Sequence, residues 1–222
     1  MKTIFSTLFL CFSTVFVISS CSHDEITNEE SPNNTDSYRS CPDDKHPHKI
    51  DLGLSSGTKW ACCNVGATTP EGYGDYYAWS ETETKDNYNF ESYSAGTDFY
   101  IRYDIAGTRH DVAHAKWGET WRMPSVNHVV ELCSECTWKW TVRNGVSGRL
   151  VTGRNGGTVF LPASGGRYHK RLEDKDIYGD YWTSEPYANE GQHSCTLSFN
   201  SEYWNTDHDY HGYGHTIRAV CP

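Results

Sequence analysis

Two Asn-Gly dipeptides, Asn144-Gly145 and Asn155-Gly156, each stand between runs of alternating apolar and polar residues. Trp138, Trp140 and Val142 precede the first, Leu150-Val151 lie between the two, and Val159-Phe160-Leu161 follow the second. Asn-Gly takes up positive φ at the centre of a tight turn with little strain, so alternation on both sides reads as consecutive hairpins. The middle of the chain is therefore predicted to be an antiparallel meander.

The segments around it fit the same class. His48–Leu54 and Thr58–Cys63 read as short strands separated by a Ser-Ser-Gly turn, and residues 64–89 are rich in Gly, Tyr and Trp and irregular. Helical periodicity predicts a helix over Ile105–Lys116, ended by Trp117-Gly118. A second helix is expected after Pro124, with Ser125 as N-cap and Val126, Val129, Val130 and Cys133 as its apolar stripe. Tyr178–Ser184, Ser194–Phe199 and Gly214–Val220 read as further short strands. Strands and two helices outside βαβ order imply an α+β fold with short antiparallel strands and long irregular loops.

Ahead of this domain, Met1-Lys2 and the apolar run Ile4–Ile18 have the layout of a secretory signal, and the run is too short to span a bilayer comfortably. It ends in Ile18-Ser19-Ser20-Cys21, which resembles a bacterial lipobox, so residues 1–20 are read as a leader and Cys21 as the lipidated residue. Residues 21–47 are nearly free of apolar side chains and are expected to form a tether. The acids in Ser22-His23-Asp24-Glu25 resemble the surface-export signal of Bacteroidota-type lipoproteins. Residues 48–222 are left as one domain, long enough to bury a core. The chain carries 19 basic residues, one of them Lys2 in the leader, against 29 acidic ones. That balance argues against nucleic acid as a partner and leaves the lipid as the expected membrane attachment. Seven cysteines follow Cys21; Cys63 and Cys221 are candidates to staple the domain ends, with Cys62 and Cys195 competing.

Asp51-Leu-Gly-Leu-Ser-Ser-Gly-Thr-Lys-Trp60-Ala-Cys-Cys-Asn-Val-Gly66-Ala opens a series of motifs. It continues with Tyr73-Gly-Asp-Tyr-Tyr-Ala-Trp79-Ser-Glu-Thr and Asp111-Val-Ala-His-Ala-Lys-Trp117-Gly-Glu-Thr-Trp121-Arg-Met-Pro124. Phe160-Leu-Pro-Ala, Tyr181-Trp182-Thr-Ser and Ile217-Arg218-Ala-Val-Cys-Pro222 close it. In this order, from about Lys49 to the C-terminus, the motifs resemble the Fibrobacter succinogenes major paralogous domain. The resemblance implies a C-type-lectin-like fold on a surface or secreted protein, and implies no defined chemistry. Trp60, Trp117, Trp121, Pro124, Trp182 and Arg218 are then expected to be scaffold, with Arg122 pinning a loop through its guanidinium fork.

Several arrangements bear on catalysis or metals. His110-Asp111-Val-Ala-His114 echoes the zinc motif HExxH, with Asp where the base would be. Cys133-Ser-Glu-Cys136 has CxxC spacing without a second pair, and is read as a helix-end disulfide or two buried thiols. His208, His211 and His215 lie among Asp207 and Asp209, as a transition-metal set would. Glu185-Pro186 and Trp204-Asn205 faintly resemble the calcium and sugar elements of true C-type lectins. No nucleophile-base signature is legible, and no cofactor, metal set or catalytic residue is assigned. The stronger signal is composition: Tyr168–His215 holds seven of the fifteen tyrosines and five of the eleven histidines. Tyr and Trp give rigid amphipathic contact area, and Ser, Asn and Gly adaptable hydrogen bonds. The expected function is a binding module for an extracellular glycan or protein. Its contacts would be Tyr168, His169, Tyr187, Asn189, Glu202, Tyr203, Trp204, Asn205, His208 and Tyr210. The alternatives are a structural subunit of a surface assembly, or a metal-dependent hydrolase built on His110/His114 or the late histidines.

Overall fold

The computed structural model describes residues 45–94, 101–118, 120–188 and 190–222, all within one compact unit. The leader, Cys21, most of the tether and Asn189 lie outside the described residues. The fold is α+β. Strands β1 (Lys49–Asp51), β2 (Lys59–Ala61) and β11 (Val220–Cys221) form one sheet, in the order β1-β2-β11. Helices α1 (Val112–Trp117) and α2 (Val126–Glu135) follow β2 in the chain. Next comes the meander of β3 (Thr137–Arg143), β4 (Val146–Thr152) and β5 (Thr158–Pro162). A small hairpin joins β6 (Gly166–Tyr168) to β7 (Arg171–Glu173). The last sheet orders as β10-β9-β8, from β8 (Gly179–Pro186), β9 (His193–Phe199) and β10 (Trp204–Tyr210). None of the described helices is long and apolar enough to cross a membrane.

The meander forms where the Asn-Gly dipeptides predict it, with different turns. Asn144 and Gly145 take φ of 48° and 81°, the paired positive values of a type I′ hairpin. The second dipeptide sits in a five-residue loop closed by Gly153 N–H donating to Gly157 O. There Asn155 reaches out of its own hairpin, its Nδ2 donating to Asp51 O at 3.0 Å.

Helix α1 is shorter than its periodicity predicts. Ile105 and Val112 are both buried, at a spacing that mimics a helix face, but Gly107 turns the chain at φ 71°. The helix starts only after Asp111, whose carboxylate accepts from the backbone N–H of Gly107, His114 and Met123. Helix α2 starts as expected: Ser125 Oγ accepts from His128 N, and His128 Nδ1 accepts from Ser125 N at 3.0 Å. Its buried stripe is Val129 and Leu132, while Val130 is exposed, so the helix is rotated from the predicted face. Glu131 and Glu135, one turn apart, clamp the Ser55-Ser56 turn through backbone and hydroxyl hydrogen bonds.

Two large apolar clusters and a smaller one of Tyr76, Ala78, Tyr88 and Tyr93 form the core. One large cluster gathers Ile50, Trp60, Val129, Leu132, Trp138, Val151, Leu161, Leu197 and Phe199; the other gathers Tyr77, Trp79, Ile105, Trp121, Met123, Trp182 and Ile217. Half-buried Trp117 packs against both and meets Trp121 edge-on at 5.4 Å. Pro124 O accepts from Ser184 N, tying the start of α2 to β8. Arg122 departs from expectation: it is held by backbone pairing with Val220 in both directions rather than by its guanidinium fork. The predicted strand Gly214–Val220 forms isolated bridges to Arg167, Tyr77, Tyr181 and Arg122, and pairs as a strand only at its end. Cys221 is a free thiol, so the staple to Cys63 is not made.

Candidate functional site

The C-terminal sheet is built on β9. Ser198 lies between Asp180 and Asn205, and Thr196 between Trp182 and Asp207, while Ser194 opposes Asp209. Because side chains alternate along a strand, these rows share one face, and the Trp204, Thr206, His208 and Tyr210 rows share the other. The first face is polar and floors a cavity of about 310 Å³, bordered by Tyr168, Asp174, Tyr178, Tyr203 and the 207–209 segment.

Four carboxylates crowd this cavity, and their surroundings separate them. Burial pushes Asp180 above the usual carboxylate range, although Ser198 Oγ donates to it at 2.6 Å. Burial would also raise Asp209, but His215 Nε2 sits 2.9 Å from its Oδ2 and holds the carboxyl below its ordinary value. Reciprocally, burial would lower His215, and the Asp209 hydrogen bond with the charges of Asp209 and Asp180 raises it instead. Tyr168, whose hydroxyl donates to Asp209 at 3.4 Å, is held protonated by burial and by the surrounding acids. The cavity thus offers fixed acceptors, tyrosine hydroxyls and the exposed ring of Tyr203.

The expected contacts separate into groups. Tyr168 and Tyr203 border the cavity; His208 touches its lining from β10, but its row faces the other side of the sheet. Glu202 and Asn205 are exposed on and beside the β9–β10 turn, where Glu202 N donates to Asn200 Oδ1. Tyr187 stacks on His208 at 3.9 Å and lines a second cleft of about 580 Å³ with Arg102, Asp104 and Glu185. Tyr210 packs beside Tyr213 and His193. His169 lies at φ 55° in the β6–β7 turn, paired through its backbone with Tyr88. Trp204 is the clear departure. It stacks on Trp138 at 5.8 Å with the Arg149 guanidinium 4.7 Å above it, on the sheet face opposite the cavity. Arg149 also donates to Asn200 O and Tyr203 O, so this packing holds the turn that presents Tyr203. Asp174, Asp180, Asp207 and Asp209 were not singled out as contacts; reading Asn205-Thr-Asp207-His-Asp209 as a strand would have placed three of these polar side chains on one face.

His110 precedes the α1 cap and contacts Ser80 O and Arg109 Nε, so it does not share a helix face with His114. His211 is buried on Trp79 and His215 is buried beside Trp182, so the late histidines do not converge with His208. Ser194 Oγ and His211 Nε2 lie 2.9 Å apart, but both residues are buried and border neither cleft. Cys133 and Cys136 are free thiols pushed up by burial to about 12 and about 11, far from the reactive thiolate range. Glu185 accepts from Val126 N at the start of α2, and Asn205 Oδ1 accepts from Thr206 N.

No family model, curated protein or solved structure matches the chain.

Proposed function

We propose that this chain is a lipid-anchored surface binding module of the Fibrobacter succinogenes major paralogous type, with a C-type-lectin-like domain that binds a glycan or protein ligand. The supporting observation is the cavity on β8–β10, where Tyr168, Tyr203, Asp180, Asp207 and Asp209 meet. Fixed carboxylate acceptors take hydrogen bonds from ligand hydroxyls, and an exposed aromatic ring at the rim offers a stacking surface. That combination suits a hydroxyl-rich glycan best and a cationic protein segment next. Within the cavity, Ser198 holds the Asp180 carboxylate and His215 and Tyr168 hold that of Asp209, so both acceptors are fixed in place for a ligand. The anchor reading rests on the lipobox-like Ile18-Ser19-Ser20-Cys21 and the acidic segment after it.

Expression of the full chain beside Cys21→Ser tests the anchor. Wild type is expected to incorporate labelled palmitate, fractionate with the outer membrane and be cleaved by protease added to intact cells. Cys21→Ser is expected to lose the label and become soluble; equal membrane retention of both forms would overturn the anchor. The purified full chain is then placed on glycan and extracellular-protein arrays. Saturable binding to one class is expected, and co-purification of fixed stoichiometric partners with empty arrays would instead identify a structural subunit.

A further inference from the structure

A second cluster lies on the far side of the chain from this cavity in sequence, where the chain enters β1. Strands β1 and β2 pair with Lys49 opposite Ala61. One step further back, that register sets His48 against Cys62, and Cys62 N donates to His48 O at 3.1 Å. His48 N donates in turn to Cys62 Sγ at 3.1 Å. The same sulfur lies 3.0 Å from His46 Nδ1 and 3.6 Å from His48 Nδ1. The two imidazoles meet edge-on, with ring centres 5.1 Å apart, so each directs a nitrogen at one sulfur. Cys62 is 3 % exposed, whereas His46 and His48 are half-buried.

Two imidazole nitrogens and a backbone N–H converge on one sulfur, a weak donor and weak acceptor, and the spacing is that of ligands around a tetrahedral zinc ion. Zn–S of about 2.3 Å and Zn–N of about 2.0–2.1 Å place sulfur and nitrogen about 3.5 Å apart. The observed 3.0 and 3.6 Å separations bracket that edge. All three ligand atoms lie within 4.8 Å of one another. We infer that His46, His48 and Cys62 form a binding site for a zinc-class divalent metal that fastens the entering chain to the core strand β2. Imidazole with thiolate selects borderline-soft ions over calcium or magnesium. On binding, the Cys62 S–H bond breaks, its proton leaves to solvent and the sulfur bonds the metal. Both histidines bind through Nδ1. The His48 N–H supports the charge left on sulfur. Three protein ligands leave a fourth position for solvent or another side chain. Glu190, His193 and His208 form the other cluster of this kind among the described residues. It lacks a thiolate, and its carboxylate member, Glu190, is exposed.

The test is titration of the full chain, stripped with chelator and kept under a phosphine reductant, with cobalt and then zinc. One equivalent of cobalt should bind with a thiolate-to-cobalt charge-transfer band and tetrahedral d–d bands, and zinc should bleach both. Cys62→Ser should abolish the charge-transfer band, and His46→Ala should weaken binding by more than about 100-fold, beyond the loss of an outer-shell partner. His193→Ala should change neither. If Cys62→Ser does not fold, His46→Ala at its half-buried position carries the test alone. Absence of the charge-transfer band in wild type, its survival in Cys62→Ser, or full affinity in His46→Ala would each overturn the site. So would a loss of cobalt confined to His193→Ala.

Discussion

Replacing Arg218 with methionine is expected to lower folding stability by about 3–5 kcal/mol, because the buried carbonyls it serves lose their donors. Arg218 is 1 % exposed and has no carboxylate partner among its hydrogen bonds. Its Nε donates to Asn64 Oδ1 at 2.7 Å, Nη1 to Ala61 O and Cys62 O at 3.2 and 3.1 Å, and Nη2 to Phe160 O at 2.8 Å. One guanidinium therefore ties β2 and the segment after it to β5. Each buried acceptor left without a donor costs about 1–3 kcal/mol, partly offset because methionine removes a desolvated charge. Lysine should not rescue the loss, since a point ammonium cannot span the fork. Denaturant unfolding of the full chain checks this: the midpoint should fall sharply at unchanged slope. A midpoint within about 0.5 kcal/mol of wild type would show that the network contributes little.

The second large effect is pH-dependent. Burial drives His211 from its ordinary 6.5 down to about 4, where it stacks on Trp79 at 4.5 Å and shares a hydrogen bond with Ser194. Below pH 6.5 the unfolded chain takes up a proton that the folded chain refuses until about pH 4. Stability is therefore lost as pH falls through that window, by up to about 3 kcal/mol from this residue. Other groups act with different signs. His215, raised, contributes stability below the ordinary histidine range that is lost as pH rises through its folded value. Asp209, lowered, contributes above the ordinary carboxylate range and loses it as pH falls through its folded value. Asp180, Asp111 and Glu185, all raised by desolvation, gain stability on acidification, and His128, lowered, adds to the loss. A variant isolates the His211 contribution: wild type should lose up to about 3 kcal/mol relative to His211→Gln between pH 7 and 4, and parallel curves over that range would contradict the assignment.

What the sequence disclosed follows from where local chemistry decides structure. Asn144-Gly145 has one favoured turn, and Ser125 after Pro124 has one favoured role, so both were legible. Trp60 and Trp182 are fully buried, as expected of the large apolar side chains that anchor a small core. Strand β10 was missed because Asn-Thr-Asp-His-Asp carries no apolar alternation; partners on β9, not propensity, make it a strand. That omission also hid the cavity. With the strand in place, Trp204 turns to Trp138 and the aspartates turn to the cavity, a distinction composition alone does not contain. The spacing of Ile105 and Val112 fits a helix until Gly107 breaks it, so periodicity alone implies a longer α1 than forms.

The central claim, ligand recognition in the β8–β10 cavity, is tested most directly by measuring affinity for the array-selected ligand in single variants of the full chain. Tyr203→Ala and Asp207→Asn alter the cavity, and Val142→Ala, 61 % exposed on the meander, serves as the control. Both cavity variants are predicted to weaken binding at least about tenfold, about 1.4 kcal/mol, with folding intact and the control unchanged. Wild-type affinity in both cavity variants would contradict the account.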